Sequence, residues 1–555
     1  MVVYLRLALA YFCQFAIWGG WAIALGGYAS GVLNFSGPEI GWLYAAIPLG
    51  AIIAPLFIGP IADRYFAAQK VLFVLHLIGG LALLGCGLHC WMSDSPSFLI
   101  IMGLMVLSGI CFMPSIGLMN SVVFKHLPSA SMAPYVFVFG TIGWIIINLF
   151  IAAFCGGSST PYFFFVAGAV GVFLAVYSLT LPDTPPKGAP VAGEKSSGPG
   201  LLSMFKSFPF AIFVLCAFLA SIPTSNFFFP ALDTFLTERG YPSPLALGTL
   251  NQISEIAFML ALPFCIAKFG LKKVLLIGMA AWIVRYVLFA EPMFALTILG
   301  LLLHGFCYTF LFVASYMYAE KVAPAHLKAS AQTMMVFLLL GVGQILGSLG
   351  YGYVSDANPP KFGDAEIAIG GAQLELAEGA RLPEGTDVSD SFMVPVPAWS
   401  AGERSLFQYL DLAAQVNKLL GRTQDARTVD LGRLLGEQPL SLATIDAMPG
   451  EQLVQDNVRI RRVEPCCDTD VAQEVEPITA SVRYTRDDLK QLGRAVAGKN
   501  VDGVEDFSLT REDWLTTRAH NWTQIWRLPA LFIAVWFVVF FLLGRDPKDE
   551  GNASG

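Results

Sequence analysis

An all-α membrane protein with about twelve spanning helices in two sets of six is the architecture this sequence predicts. Three observations predict it. The chain is 55% hydrophobic and only 14% charged, whereas soluble domains carry about 25% charged residues. Its apolar residues gather in runs of roughly 20, the length needed to cross a hydrocarbon layer about 30 Å thick. A Pro-, Gly- and Ser-rich stretch, LPDTPPKGAPVAGEKSSGPG at 181–200, divides these runs six and six.

The runs lie at 5–28, 39–61, 70–91, 97–123, 133–155, 160–181, 207–231, 245–267, 272–290, 294–319, 327–354 and 525–544. The first is too long for a cleaved signal, carries Trp18 and Trp21, and leads into further spans, so it reads as a retained helix. Short loops on one side hold the basic residues, among them Arg64, Lys70, Lys125, Lys268, Lys272, Lys273, Lys321 and Arg545. The opposite loops hold Arg239 with Asp94, Asp233, Glu238 and Glu291. Positive loops stay inside, which places both termini in the cytoplasm of an inner-membrane protein. After the second run of each half comes a similar basic loop, IADRYFAAQKVLF at 61–73 and IAKFGLKKVLL at 266–276, the weak internal repeat of a two-bundle carrier.

The expected division is therefore 1–182 for a first bundle, 183–206 for a cytoplasmic linker, 207–355 with 521–546 for a second bundle, and 356–520 for an extracytoplasmic insert. The insert holds most of the acidic residues behind the net charge of −7. Helical spacing occurs at 404–421 and 485–498, and strand-like alternation at 457–464. Eight of the ten cysteines sit singly in apolar runs and read as small buried hydrophobes. Cys466 and Cys467 are adjacent in the insert, and no metal-ligand spacing occurs.

Polar residues inside the runs carry the function. GTLNQISEIAFMLALPF at 248–264 holds Asn251, Gln252 and Glu255. A charge at the centre of a spanning helix costs roughly 2.5–3.5 kcal/mol on insertion scales, so such a group faces a cavity or a partner. Helical spacing puts Glu255 on one face with Gln252 and with Asn251. Amides and a carboxylate suit ribose hydroxyls and a base edge. Arg285 reads as a structural intramembrane charge, with Glu255 one available partner. Pro223 and Pro230 flank Asn226 and the triplet Phe227, Phe228 and Phe229, where a helix break is expected; the three Phe can stack on a base, and a lipid-facing surface is equally open for at least two of them. His304 and Tyr308 share a face and can hydrogen-bond a ligand. Gln14, Trp18, Asn120 and Asn148 read rather as packing or interhelical bonds.

IGPIADRYF at 58–66 follows the G-x-x-x-D-R pattern and is similar to the loop between helices two and three of the major facilitator superfamily. Gly59, Asp63 and Arg64 there would form a conformational latch. FAIWGGWAIALGGY (15–28), FMPSIGLMNSV (112–122), FGTIGWI (139–145), NQISEIAFMLALPF (251–264), AWIVRYVLFA (281–290), EKVAPAHLKASAQ (320–332) and WTQIW (522–526) resemble the bacterial nucleoside:proton symporters of that superfamily. The resemblance spans all twelve runs and omits the insert. It implies the major facilitator fold and nucleoside transport by alternating access, coupled to protons. It places Thr141, Asn226, Gln252 and Glu255 at substrate-contact positions, beside His304 and Tyr308. Three positions depart from the family pattern. Phe137 stands where many relatives have Arg, Pro223 where they have Gln, and Thr309 where they have Asp. The lost Asp leaves Glu255 and His304 as the titratable groups for carrying a proton.

The expected partners are a nucleoside, a proton and the lipid bilayer, with no cofactor, metal or nucleic acid, and the expected working unit is a monomer. Another polyhydroxylated solute, or a transporter-derived sensor that uses the insert, stays open. An enzyme in the insert finds no support, since neither G-x-S-x-G nor H-E-x-x-H occurs there. No P-loop is present, so ATP-driven pumping is not expected.

Overall fold

Described in the computed structural model are residues 2–359 except 34, 94, 130–131, 186–200 and 325–326, then 368–369, 372–375, 428–430, 439, 441–448, 453–465, 472–484, 490, 508 and 519–546. Eleven helices among them are long and apolar enough to cross a membrane. They are α1 (Val2–Gly31), α2 (Gly37–Arg64), α3 (Ala68–Met92), α4 (Phe98–His126) and α5 (Ala133–Phe154), then, after α6, α7 (Phe208–Glu238), α8 (Pro244–Phe269), α9 (Leu271–Ala290), α10 (Phe294–Val322), α11 (Ser330–Asp356) and α12 (Trp522–Leu543). The remaining helix, α6 (Tyr162–Ser178), has 17 apolar residues, the short end of what spans a bilayer. Leu99, Leu260 and Phe264 are 76%, 77% and 67% exposed, a surface that lipid covers.

The two sets of six pack alike. In the first, α1 packs on α5 and α6, α2 on α4, and α3 on α6. In the second, α7 packs on α11 and α12, α8 on α10, and α9 on α12. Each contact recurs six helices later, so the repeat suggested by the two basic loops is a repeat of the packing. The second loop turns at Gly270, whose φ of +82° few other residues tolerate. The halves meet through α1 with α7, α2 with α11, and α5 with α8. At the α2–α11 contact a Cβ on Gly37 would run into the carbonyl of Gly352. Only glycine allows that approach.

Helix ends differ from the sequence expectation at one functional place. The seventh run, expected at 207–231, is two helices, Phe208–Ser225 and Phe228–Glu238. Pro223 sits in the last turn of the first piece, and the chain leaves the helix at Asn226. The break frees the Pro223 carbonyl, and Tyr286 Oη–H donates to it, as a membrane requires of a freed backbone group. Pro230 lies in the first turn of the second piece, where its missing N–H is not needed. Asp233 and Glu238, read as loop residues, are therefore helical and buried, at 0% and 7% exposure. Hydropathy alone reads acidic residues at the end of a run as solvated.

Two more helices carry π-type segments, Thr309–Val313 in α10 and Phe337–Val342 in α11. Such local unwinding is frequent at functional sites. Gly59, Asp63 and Arg64 fall in the last turns of α2, and their side chains lie outside the described residues.

The insert adds strands to an otherwise helical fold. β1 (Ala368–Ile369), β2 (Ala372–Glu375), β3 (Thr428–Asp430), β4 (Leu453–Pro465) and β5 (Ala472–Tyr484) form one sheet in which β4 pairs with β2, β3 and β5. The stretch 457–464 lies within β4. The helical spacing at 404–421, all of 485–498 but Lys490, and Cys466–Cys467 lie outside the described residues.

The two ends of the insert return to one point. Asn521 N–H donates to Asn358 O at 3.1 Å. Beside them Glu238 accepts three hydrogen bonds or contacts. His520 N–H donates to Oε2 at 2.9 Å, Trp522 Nε1–H donates to Oε2 at 2.6 Å, and His520 Nδ1 lies 2.8 Å from Oε1. The insert is thus rooted on the end of α7, on the face opposite the α2–α3 and α8–α9 loops. Glu238→Ala leaves the buried Trp522 indole and the His520 amide without acceptors. It is expected to cost roughly 2–4 kcal/mol, read as a lower melting temperature in detergent. Because the ends touch, replacing 360–518 by a short Gly-Ser linker should leave a folded, twelve-helix protein, checked by monodispersity and melting.

Candidate functional site

The site is built where α7 breaks. Asn226, 7% exposed, donates through Nδ2 to the carbonyl of Tyr44 on α2 at 3.1 Å. This bond crosses from one half to the other. Around it lies a small cavity of about 10 Å³ lined by Trp18, Trp21, Tyr44, Asn226, Phe229 and Gln344 among others. Water-sized room of this kind is far below the roughly 300–1,000 Å³ of ordinary ligand pockets. Cargo therefore needs the halves to part.

Aromatic side chains cover this seam. Trp18 meets Trp144 edge-on at 5.5 Å, and Trp144 meets Phe229 at 5.8 Å. Trp144 Nε1 is buried without a hydrogen-bond partner among the described residues. Thr141, half-buried, precedes Trp144 by one turn of α5. Of the Phe triplet, Phe227 and Phe228 are 4% and 1% exposed in the core of the second half, and Phe229 is the one at the seam. None of the three forms a lipid-facing surface.

The three residues of α8 diverge. Asn251 is 1% exposed and turned inward; its Nδ2 donates to Gly248 O at 2.8 Å and its Oδ1 accepts from Arg285 at 3.0 Å. Gln252 is 6% exposed, and its Oε1 has no partner among the described residues. Glu255 is half-buried, and among the described residues no hydrogen bond or ion pair holds its carboxylate.

Arg285 does not pair with Glu255. Fully buried, its guanidinium donates to Asn251 Oδ1 and to His304 Nδ1, at 3.0 and 2.9 Å. It lies 4.0 Å from the Phe228 ring centre and 4.9 Å from that of Trp282, a cation–π cage that replaces part of its hydration. His304 accepts that bond and is therefore a neutral imidazole here, because a protonated one has only donors. Its ring lies near-parallel to those of Phe228 and Tyr308, at 6.1 and 6.2 Å. Arg285→Lys keeps a buried charge and loses the fork that serves two acceptors. It should lower stability by about 1–3 kcal/mol, measured by thermal melting.

The departures from the family pattern have structural replacements. Phe137 stacks on Tyr11 at 4.7 Å, and Tyr11 Oη–H donates to Asn120 Oδ1 at 3.0 Å. Thr309 opens the π segment of α10, with a fully buried Oγ1 that has no partner among the described residues. Gln14 donates to Ser115 Oγ at 2.8 Å, and Asn148 to the carbonyls of Gly19 and Trp144 at 3.1 and 2.9 Å, bonds that tie the first half together.

Two residues escaped the sequence reading. Gln344 lines the cavity from α11, and its signal was a lone amide in the apolar run LLLGVGQILG. Asp233 sits one side of α7 on from Asn226 and Phe229, the spacing that would have shown a continuing face.

Comparison with known proteins bears on this arrangement. YegT of Escherichia coli K12 is 36% identical over 356 residues, covering 62% of this chain and 82% of that protein. Xanthosine permease and nucleoside permease NupG of the same organism are 29% and 28% identical, over 64% and 63% of this chain and 88% and 87% of theirs. In three dimensions the chain is similar to a crystal structure of a mutant of the nucleoside transporter NupG, with TM-score 0.59 and 25% identity over 64% of this chain and 92% of that one. It shares its fold with a bacterial homologue of the lysosomal transporter Spinster, at TM-score 0.51 and 17% identity, over 64% of this chain and 82% of that one. The match to the family described as nucleoside H+ symporter runs over residues 1–358, from α1 through α11, and the chain belongs to that family.

Proposed function

We infer that this multi-pass membrane protein carries nucleosides across the cytoplasmic membrane by alternating access, coupled to protons, with both termini in the cytoplasm and the insert outside. Membership of the symporter family supports the reading. Glu255 carries it at the level of the site: a half-buried carboxylate within the membrane, without an ion-pair partner among the described residues. A charge that is neither paired nor sealed away belongs to a pathway.

In this reading Asn226, Gln252, Glu255, Thr141 and Tyr308 contact the cargo, with Trp18, Trp144 and Phe229 as stacking faces for the base. His304 is less suited to bind a proton than Glu255, since Arg285 already donates to it; its part is to hold Tyr308 and Arg285 in place. Gly59, Asp63 and Arg64 act as the latch of the opposite face. The working unit is a single chain, in which residues 1–182 rock against 207–355 with 521–546.

The test is uptake of labelled uridine and adenosine into proteoliposomes with and without an inward proton gradient. Wild-type protein is expected to accumulate nucleoside only with the gradient. Glu255→Gln should lower that accumulation at least about ten-fold, the effect of some 1.4 kcal/mol or more. Accumulation that Glu255→Gln leaves intact would remove Glu255 from the coupling. Equilibration indifferent to the gradient would make the protein a facilitator.

A further inference from the structure

The halves are sealed at the insert face by the second piece of α7 (Phe228–Glu238) lying on the end of α1 (Ala24–Gly31). Three steps along α7 make this contact. The Pro230 carbonyl lies against Gly26, the Asp233 carboxylate against Gly27, and Thr234 Oγ1 is 3.0 Å from Ser30 Oγ. Asp233 enters only because residue 27 is glycine, since a Cβ there would overlap its carboxylate.

Asp233 is 0% exposed, and what its carboxylate meets is a neutral hydroxyl, that of Ser158, rather than a charged donor among the described residues. Its neighbours offer no charge to balance it. From α1 come Gly27 and Ser30. From the α5–α6 turn comes Ser158, whose Oγ would lie 3.0 Å from a Cβ on Gly27. The titratable group facing it from α2 is Tyr44, whose hydroxyl is already committed to Ala22 O at 2.8 Å. From α11, Tyr351 packs on Phe227 of the same helix. From α12 come Trp522 and Trp526, on Phe235. His520 is held by Glu238, more than a turn away. Among the described residues no Lys, Arg or His forms an ion pair with Asp233.

An ionised carboxylate sealed in such a place costs several kcal/mol, and a protonated one far less. We propose that Asp233 is a proton-dependent latch of the transport cycle: α7 docks on α1, and the insert face closes, only when this carboxyl holds a proton. When the halves part at that face, water reaches the group and the proton leaves to it. Reclosure then requires a proton taken from that same side. The proton returns to the side it came from, so Asp233 makes closure depend on the proton concentration at the insert face and the translocated proton is carried elsewhere. The inference rests on the symport reading above for its place in the cycle, but the closure it describes does not need a substrate.

The test separates the two. Ser30→Cys is introduced into the full-length chain with its other cysteines replaced. Labelling by a membrane-impermeant thiol reagent is followed in proteoliposomes between about pH 5.5 and about pH 8.5, corrected with a free thiol for thiolate reactivity. With Asp233 present, labelling is expected to rise roughly ten-fold towards alkaline pH as the face opens. With Asp233→Asn, which cannot ionise and has the same shape, labelling should stay slow and flat. Labelling of Asp233→Asn that follows pH as the parent does would overturn the proposal. So would a flat profile in the parent, which decides the matter even if the variant does not fold. Uridine counterflow is run alongside. It should fail at alkaline pH in the parent and persist in Asp233→Asn. A parent that exchanges no uridine, yet labels as expected, would sink the nucleoside reading and keep this one.

Discussion

Hydrocarbon supplies no hydrogen bonds and no counter-charge, and every feature of this protein's interior answers to that fact. Among the charged side chains of its helices, Arg285, Glu255 and Asp233 each sit in a different kind of place. Arg285 is walled in by its own half, with two neutral acceptors and an aromatic cage. Glu255 keeps partial access at the junction of the halves. Asp233 has a neutral hydroxyl beside it, no charged partner among the described residues, and no access. The first arrangement is static, since nothing in it changes when the halves move. The second and third depend on which face is open, and that dependence is what a carrier needs to move a proton.

The α7 helix links these arrangements. Its break at Asn226 puts an amide on the first half's backbone across the central seam. Two turns later Asp233 meets Gly27, and at the end Glu238 holds the root of the insert through His520 and Trp522. Cavity, gate and insert are thereby strung along one element that packs on α1, α11 and α12. A movement of α7 cannot leave any of the three untouched. The break at Asn226 supplies the joint, and the Tyr286 bond to Pro223 fixes the half of the helix that stays behind.

Much of this was legible in the sequence, and the failures have a common cause. Runs of apolar residues marked the twelve spans because a bilayer selects on length and hydropathy, both local properties. The break near Pro223 was legible because proline acts on its own chain. Asp233 was misplaced because hydropathy treats an acid at the end of a run as solvated. Its burial depends on Gly27, some two hundred residues away, and on a contact between halves. Arg285 drew Glu255 as a partner because charge suggests charge. The protein instead uses Asn251 and His304, neutral groups whose lone pairs only the folded geometry aims at the guanidinium. Phe227 and Phe228 look like lipid-facing residues until α12 supplies Trp526, which packs against both.

The central site has a division of labour. Phe137 stacks on Tyr11, and the first half presents aromatic faces at Trp18, Trp144 and the Tyr11–Phe137 pair. The amides and the carboxylate, Asn226, Gln252, Gln344 and Glu255, all belong to the second half. A nucleoside has the same two-sided character, with a flat base that stacks on any aromatic face and a ribose that needs both donors and acceptors. Held between these halves, it would stack on one and hydrogen-bond to the other, joining them across the seam. A cargo offering hydroxyls alone would satisfy the second half and leave the aromatic wall unused. The asymmetry therefore favours a nucleoside over a simple sugar on grounds that no single residue provides.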